Sequence, residues 1–248
     1  MPRVEEIHAF LEEIAPRALA EDWDNVGTLV DCGREVSGVM TALDITGTTI
    51  AEAAEAGCEL IVSHHPVIFH PLRRVDCTDP AYQLIRRQIS GICMHTNLDT
   101  AAGGVNDQLA ALFGLGEVRA LEQMGRVGRL PAPMDPASFA LLCKEKLGAS
   151  GVQLADAGRP IRTLAVLGGA GGDFAAAAKA AGADCLLTGE ASHHDALDAL
   201  RIGLSLIAAG HFSTEHPVVP YLADQLRRRF PALRVLVSQR EQEPFTTL

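Results

Sequence analysis

Aromatic side chains are scarce here: eight Phe, two Tyr and one Trp make up 4% of 248 residues. Packing must rest instead on Leu, Val, Ile and Ala. The six cysteines form no CxxC pair, and Cys58, Cys93 and Cys185 lie within or beside apolar runs. A cysteine so placed behaves as a small hydrophobe. All six are read as reduced thiols, which points to the cytoplasm. No apolar stretch reaches the roughly 20 residues that span a bilayer, so no membrane contact is expected. The opening Met1-Pro2-Arg3-Val4-Glu5-Glu6 leads into no apolar signal segment. Positive charge is short as well: 21 Lys and Arg against 31 Asp and Glu leave a net charge of −10. That argues against nucleic acid as a partner, because backbone phosphates are bound by Lys and Arg. The tight basic runs, Arg73-Arg74 and Arg227-Arg228-Arg229, read as solvated surface. Neither a phosphate-binding loop ending in Gly-Lys-Ser or Gly-Lys-Thr nor a GxGxxG fingerprint occurs. The glycines of 168–172 follow a strand and precede a helix, and they read as a turn rather than a phosphate cradle.

What the chain does have is a repeat. Residues 29–65 align with 154–190 without a gap. Leu29, Asp31, Gly33 and Arg34 recur as Leu154, Asp156, Gly158 and Arg159, and Gly57 recurs as Gly182. The copies diverge where the first has His64-His65 and the second Gly189-Glu190. After a small deletion, Gly91-Ile92-Cys93-Met94-His95 matches the end of Ile207-Ala208-Ala209-Gly210-His211. Each histidine precedes a carboxylate by four positions, as His95 and Asp99 and as His211 and Glu215. Packing alone accounts for the paired glycines but not for the paired His-x-x-x-acid units. The repeat therefore suggests a site shared between the halves.

Local patterns predict alternating helices and strands. Val4, Ile7, Leu11 and Ile14 form one stripe of a helix over 4–14. Further helices are predicted at 48–56, 81–89, 105–113, 138–147, 174–181, 191–200 and 218–229. Short apolar runs at 38–44, 60–62, 92–94, 164–167, 185–187, 204–208 and 235–237 predict buried strands. Strands of that kind, alternating with helices, indicate an α/β fold of mainly parallel sheets layered with helices. Two domains from an internal duplication are expected at 1–124 and 125–248, with the seam near 125–136. The terminal helix and strand are free to cross into the first half.

Candidate chemistry gathers at strand ends, where parallel sheets place their sites. His64 and His65 follow 60–63, His95 and Asp99 follow 92–94, and His211 and Glu215 follow 205–208. Imidazole and carboxylate together suit divalent metals. Two ions about 3.5–4 Å apart lower the pKa of a shared water toward neutrality. Taken singly, each histidine could equally cap a helix or bond a backbone group.

Trp23-Asp24-Asn25-Val26-Gly27, Ser63-His64-His65-Pro66, His95-Thr96-Asn97-Leu98-Asp99, Thr188-Gly189-Glu190 and Gly210-His211-Phe212-Ser213-Thr214-Glu215 resemble the NGG-interacting-factor-like dinuclear metal family. Its members are often labelled GTP cyclohydrolase I type 2. The resemblance covers essentially the whole chain. It implies two similar, interlinked α/β domains, a toroidal homohexamer and two divalent metal ions per chain. It implies His64, His65, Asp99, His211 and Glu215 as the metal ligands. The set accommodates zinc, iron, manganese or nickel. His95 matches a family histidine near the metals, as a catalytic residue that orients water or acts as general acid, or as a hydrogen-bonding support. Glu190, His193 and His194 occupy the second half's counterpart of the His64-His65 corner, lining the cavity or starting a helix. Asp24-Asn25-Val26-Gly27 reads as a turn, and Asn106 and Asp107 as helix caps.

These readings predict a dinuclear metal-dependent hydrolase of GTP cyclohydrolase type, acting on a small molecule such as a nucleotide through metal-activated water. The alternatives are a ring-shaped, metal-containing binding or scaffold protein without robust catalysis, and a metal store.

Overall fold

The computed structural model describes residues 1–247. In chain order the regular elements begin with α1 (Val4–Ile14), β1 (Gly27–Val30), β2 (Gly38–Ala42), α2 (Gly47–Glu55), β3 (Leu60–Ser63), α3 (Pro80–Arg87), β4 (Ser90–Cys93) and α4 (Thr96–Thr100). There follow α5 (Val105–Leu112), β5 (Gly116–Leu121), β6 (Gly125–Met134), α6 (Pro136–Leu147), β7 (Gln153–Ala155), β8 (Ile161–Ala170), α7 (Ala175–Ala180) and β9 (Cys185–Glu190). The last are α8 (His193–Arg201), β10 (Ser205–Ala208), α9 (His211–Glu215), α10 (Val218–Arg229) and β11 (Arg234–Val237).

Two compact units result. One comprises Met1–Ala102 with Val218–Gln242, and the other Gly103–Pro217 with the residues from Glu243 on. The chain thus leaves the first unit, completes the second and returns. Its divisions fall after Ala102 and Pro217, not within 125–136. That stretch is no linker: 125–134 is strand β6, antiparallel to both β5 and β8.

The repeat reappears in the sheets. The first sheet has the order β1-β4-β3-β2-β11, and the second, read from its far edge, β7-β10-β9-β8-β6-β5. In each, three parallel strands carry an antiparallel edge strand, β1 on β4 and β7 on β10. The first sheet is extended by β11, which runs parallel to β2 with Val235 opposite Val39.

Both faces of these strands are covered, which explains their continuous apolar sequence. On β8, Leu164 and Val166 join Phe139, Ala140 and Cys143 of α6 and Leu109 of α5 in one core cluster. The intervening Ala165 and Leu167 join Ala175 and Ala178 of α7 and Ala199 of α8 in another. In the first unit, Met40, Ala42 and Ile61 pack with Ile50 and Ala53 of α2 and Leu84 of α3. Truncating a fully buried Leu of this kind costs about 2–5 kcal/mol. Among the described residues, no helix is long and apolar enough to cross a membrane.

Candidate functional site

Parallel pairing of β2, β3 and β4 brings three chain segments to one end of the first sheet. His64 and His65 prolong β3, their amides donating to Ala42 O and Leu43 O at 3.3 and 2.9 Å. His95 lies two residues past the end of β4 and opens α4. The ring centroids are 5.0 Å apart for His64 and His65, 5.3 Å for His64 and His95, and 5.6 Å for His65 and His95. One ring nitrogen from each falls within 4.8 Å of the others, so the three could hold a metal ion. Asp99, one helical turn beyond His95, sets Oδ1 3.6 Å from His64 Nε2.

Each ring is fixed through Nδ1. His64 Nδ1 bonds Met94 O at 2.9 Å, His65 Nδ1 bonds Asp44 Oδ1 at 2.9 Å, and His95 Nδ1 bonds Asp24 Oδ1 at 2.8 Å. All three acceptors are oxygens without a hydrogen to give, so Nδ1 is the donor, and in the neutral ring Nε2 is the nitrogen with the lone pair. Metal-binding histidines have this arrangement, with the remote nitrogen tied to a carboxylate or carbonyl. Asp24 is held in turn by the amide and hydroxyl of Thr96. Burial pushes its carboxyl up, but the bonds from His95 and Thr96 outweigh this and hold it at about 2.

The second unit holds a smaller set of its own. Gly210, at φ +93°, turns the chain after β10 and starts α9 at His211. His211 Nδ1 bonds Glu190 Oε1 at 2.9 Å, and its Nε2 lies 3.0 Å from Glu215 Oε2. The pair packs against backbone that has no side chain. A Cβ on Gly169 would stand 2.2 Å from Glu215 Oε1, and one on Gly189 would stand 2.6 Å from Thr214 Oγ1. Gly168 and Gly169 therefore belong to β8 and make room for Glu215, instead of forming the turn expected of 168–172.

Other expectations find different roles. Glu190 supports His211 and does not start a helix, because Ser192 caps α8. His193 and His194 are exposed at the first turn of α8. Asn106 is no cap: it is buried, accepts from Gly168 N at 2.9 Å and donates to Met124 O at 3.1 Å. Asp107 accepts from Gly103 N at 2.6 Å and pairs with the guanidinium of Arg126. Asp24 belongs to the His95 support and not only to a turn. Asp44 was missed, although a carboxylate just beyond an apolar strand was the available signal.

The family model of Duf34/NIF3 (NGG1p interacting factor 3) matches residues 2–244. The chain belongs to the Duf34/NIF3 family. Among curated Duf34/NIF3 relatives, the "GTP cyclohydrolase 1 type 2 homolog" of Clostridium perfringens is 32% identical over 98% of both chains. That of Streptomyces coelicolor is 35% identical over 99% of this chain and 94% of its own. A hypothetical protein from Staphylococcus aureus superposes with a TM-score of 0.92 at 28% identity, covering 99% of each chain. A Bacillus cereus protein related to NIF3 has the same fold, with a TM-score of 0.95 at 23% identity over 100% of this chain and 99% of that one.

Proposed function

We propose that this Duf34/NIF3 protein is a dinuclear metal-dependent hydrolase, with His64, His65, Asp99, His211 and Glu215 as ligands of two divalent ions. One observation carries the reading: His64, His65, His95 and His211 each tie Nδ1 to an oxygen, the support that metal-binding histidines have. The donor set fits the ions in chemistry. Two ions held there would lower the pKa of a water and offset negative charge developing on a substrate. The assignment of these five residues to one centre rests on the family resemblance.

His95 acts on the substrate side. Its Nδ1–H is committed to Asp24, so Nε2 is the atom that takes or gives a proton. Asp24 keeps the ring in one tautomer and orientation, as a buried carboxylate does for a catalytic imidazole. Asp44 and Glu190 hold His65 and His211 in the same way.

The name carried by the bacterial relatives supports a nucleotide substrate and opening of a purine ring by water. We also propose a homohexamer, as the resemblance implies, in the cytoplasm, where cysteines read as reduced thiols belong. Metal-loaded protein incubated with GTP should lose the purine absorbance, and His95→Gln should abolish that loss while retaining metal. Wild-type protein that binds two ions yet leaves GTP and simple phosphoesters intact after prolonged incubation would end the hydrolase reading.

A further inference from the structure

Trp23 is the chain's one tryptophan, and it is 61% exposed. Phe69 is 42% exposed, and its ring centroid lies 5.8 Å from that of Trp23. Both rings flank His95, with centroids 6.2 Å from it for Trp23 and 6.1 Å for Phe69. Scattered exposed hydrophobes need no explanation, but two aromatic rings converging on one histidine do. A chain with so few aromatics leaves two of them partly in water at the histidine set.

The corner is also built to hold its shape. Asp24, the residue after Trp23, is fastened to His95 and Thr96. Asn25 Nδ2 donates to Ile68 O at 2.6 Å, which ties the segment bearing Phe69 to the turn bearing Trp23. These bonds hold the two ring-bearing segments together at the His95 edge, while the rings stay partly exposed. Aromatic surface next to a polar group suits a flat ligand that has a π-face and a hydrogen-bonding edge.

We infer that Trp23 and Phe69 form a stacking wall that selects a planar aromatic or heteroaromatic ring, with His95 Nε2 meeting the ring's polar edge. The inference rests on the reading of His95 as facing substrate. It assigns specificity to two residues outside the ligand set. A saturated sugar or an alkyl chain has no π-face to stack and should bind more weakly.

The sole tryptophan makes the test direct. Purified protein is titrated with inosine, nicotinamide and indole, and with ribose as the saturated control, while Trp23 emission is followed and affinity is measured by equilibrium dialysis. At least one flat probe should quench Trp23 saturably, and ribose should not. Trp23→Leu should weaken that probe about 10-fold, the scale of one base–aromatic stack. Phe69→Ala should weaken it several-fold, Trp23→Phe should largely restore binding, and metal content should stay unchanged in all three. Phe69→Ala also serves if Trp23→Leu fails to fold, since Trp23 still reports. Failure of every flat probe, equal binding of ribose, or wild-type affinity in both truncations would overturn the wall. Protein that takes up none of the added metal ions yet shows this ring selectivity would sink the metal reading and leave the wall standing; metal-loaded protein without selectivity would do the reverse.

Discussion

At the scale of single residues, the site depends on which ring nitrogen each histidine commits. Asp44 accepts from His65, so its removal should loosen one donor without deleting it. Asp44→Asn should weaken metal binding about 10–100-fold, the usual loss for a supporting partner, as read by competition with a chromogenic chelator. His64→Ala or Glu215→Ala should lower the metal stoichiometry itself. The proposed ligand set was drawn from adjacent His64 and His65 and the two His-x-x-x-acid units, which stand out in sequence. Asp24 and Asp44 do not, since one carboxylate in a turn or after a strand looks like many others until folding brings it to an imidazole.

Away from the site, Glu59 tests the electrostatics of the frame. Burial raises its carboxyl, but the amides of Ser37 and Gly38 and the Ser37 hydroxyl donate to it and bring it below the ordinary range. A depressed carboxyl contributes stability above its unfolded pKa and loses it as pH falls through the folded value. Glu59→Gln should therefore cost about 1 kcal/mol near neutrality, a modest figure because the group is only partly buried and solvent screens it. The gap from wild type should close in acid below the normal glutamate range, as followed by urea unfolding across pH.

At the scale of elements, β8 is the informative strand. Gly169 sits at φ +65° with Glu215 where a Cβ would be. Gly169→Ala should displace the Glu215 carboxylate and reduce metal uptake. Gly148 has a similar φ of +62° at the end of α6 but nothing within 4 Å of its added Cβ. Gly148→Ala should cost only about 1–2 kcal/mol of backbone strain and leave metal uptake intact. Calorimetry with metal analysis separates the two outcomes.

The elements also show what sequence patterns can carry. Parallel strands such as β3, β9 and β10 were legible because both of their faces are buried, which makes Leu60-Ile61-Val62 or Cys185-Leu186-Leu187 continuously apolar. The antiparallel strands β1, β5, β6 and β7 were missed. β5 is exposed at all positions but Leu121, and β6 carries Pro131 and Pro133. Such strands are specified by their neighbours rather than by their own hydrophobic runs.

At the scale of the whole molecule, the repeat seen in 29–65 and 154–190 became one strand order used twice. The return of α10 and β11 to the first unit was open in the sequence, because Val235-Leu236-Val237 suits either sheet. Pairing with β2 decides it. The proposed hexamer is a separate matter: light scattering coupled to size exclusion should give about six chains' mass, and a monomer at micromolar concentration would remove the ring from the account.

The central claim is that two divalent ions belong to this fold. Elemental analysis of protein purified without an affinity tag or chelator tests it most directly. About two equivalents of a divalent transition metal per chain is the predicted result. Metal-free protein that also fails to take up zinc, iron, manganese or nickel when these are added would contradict it.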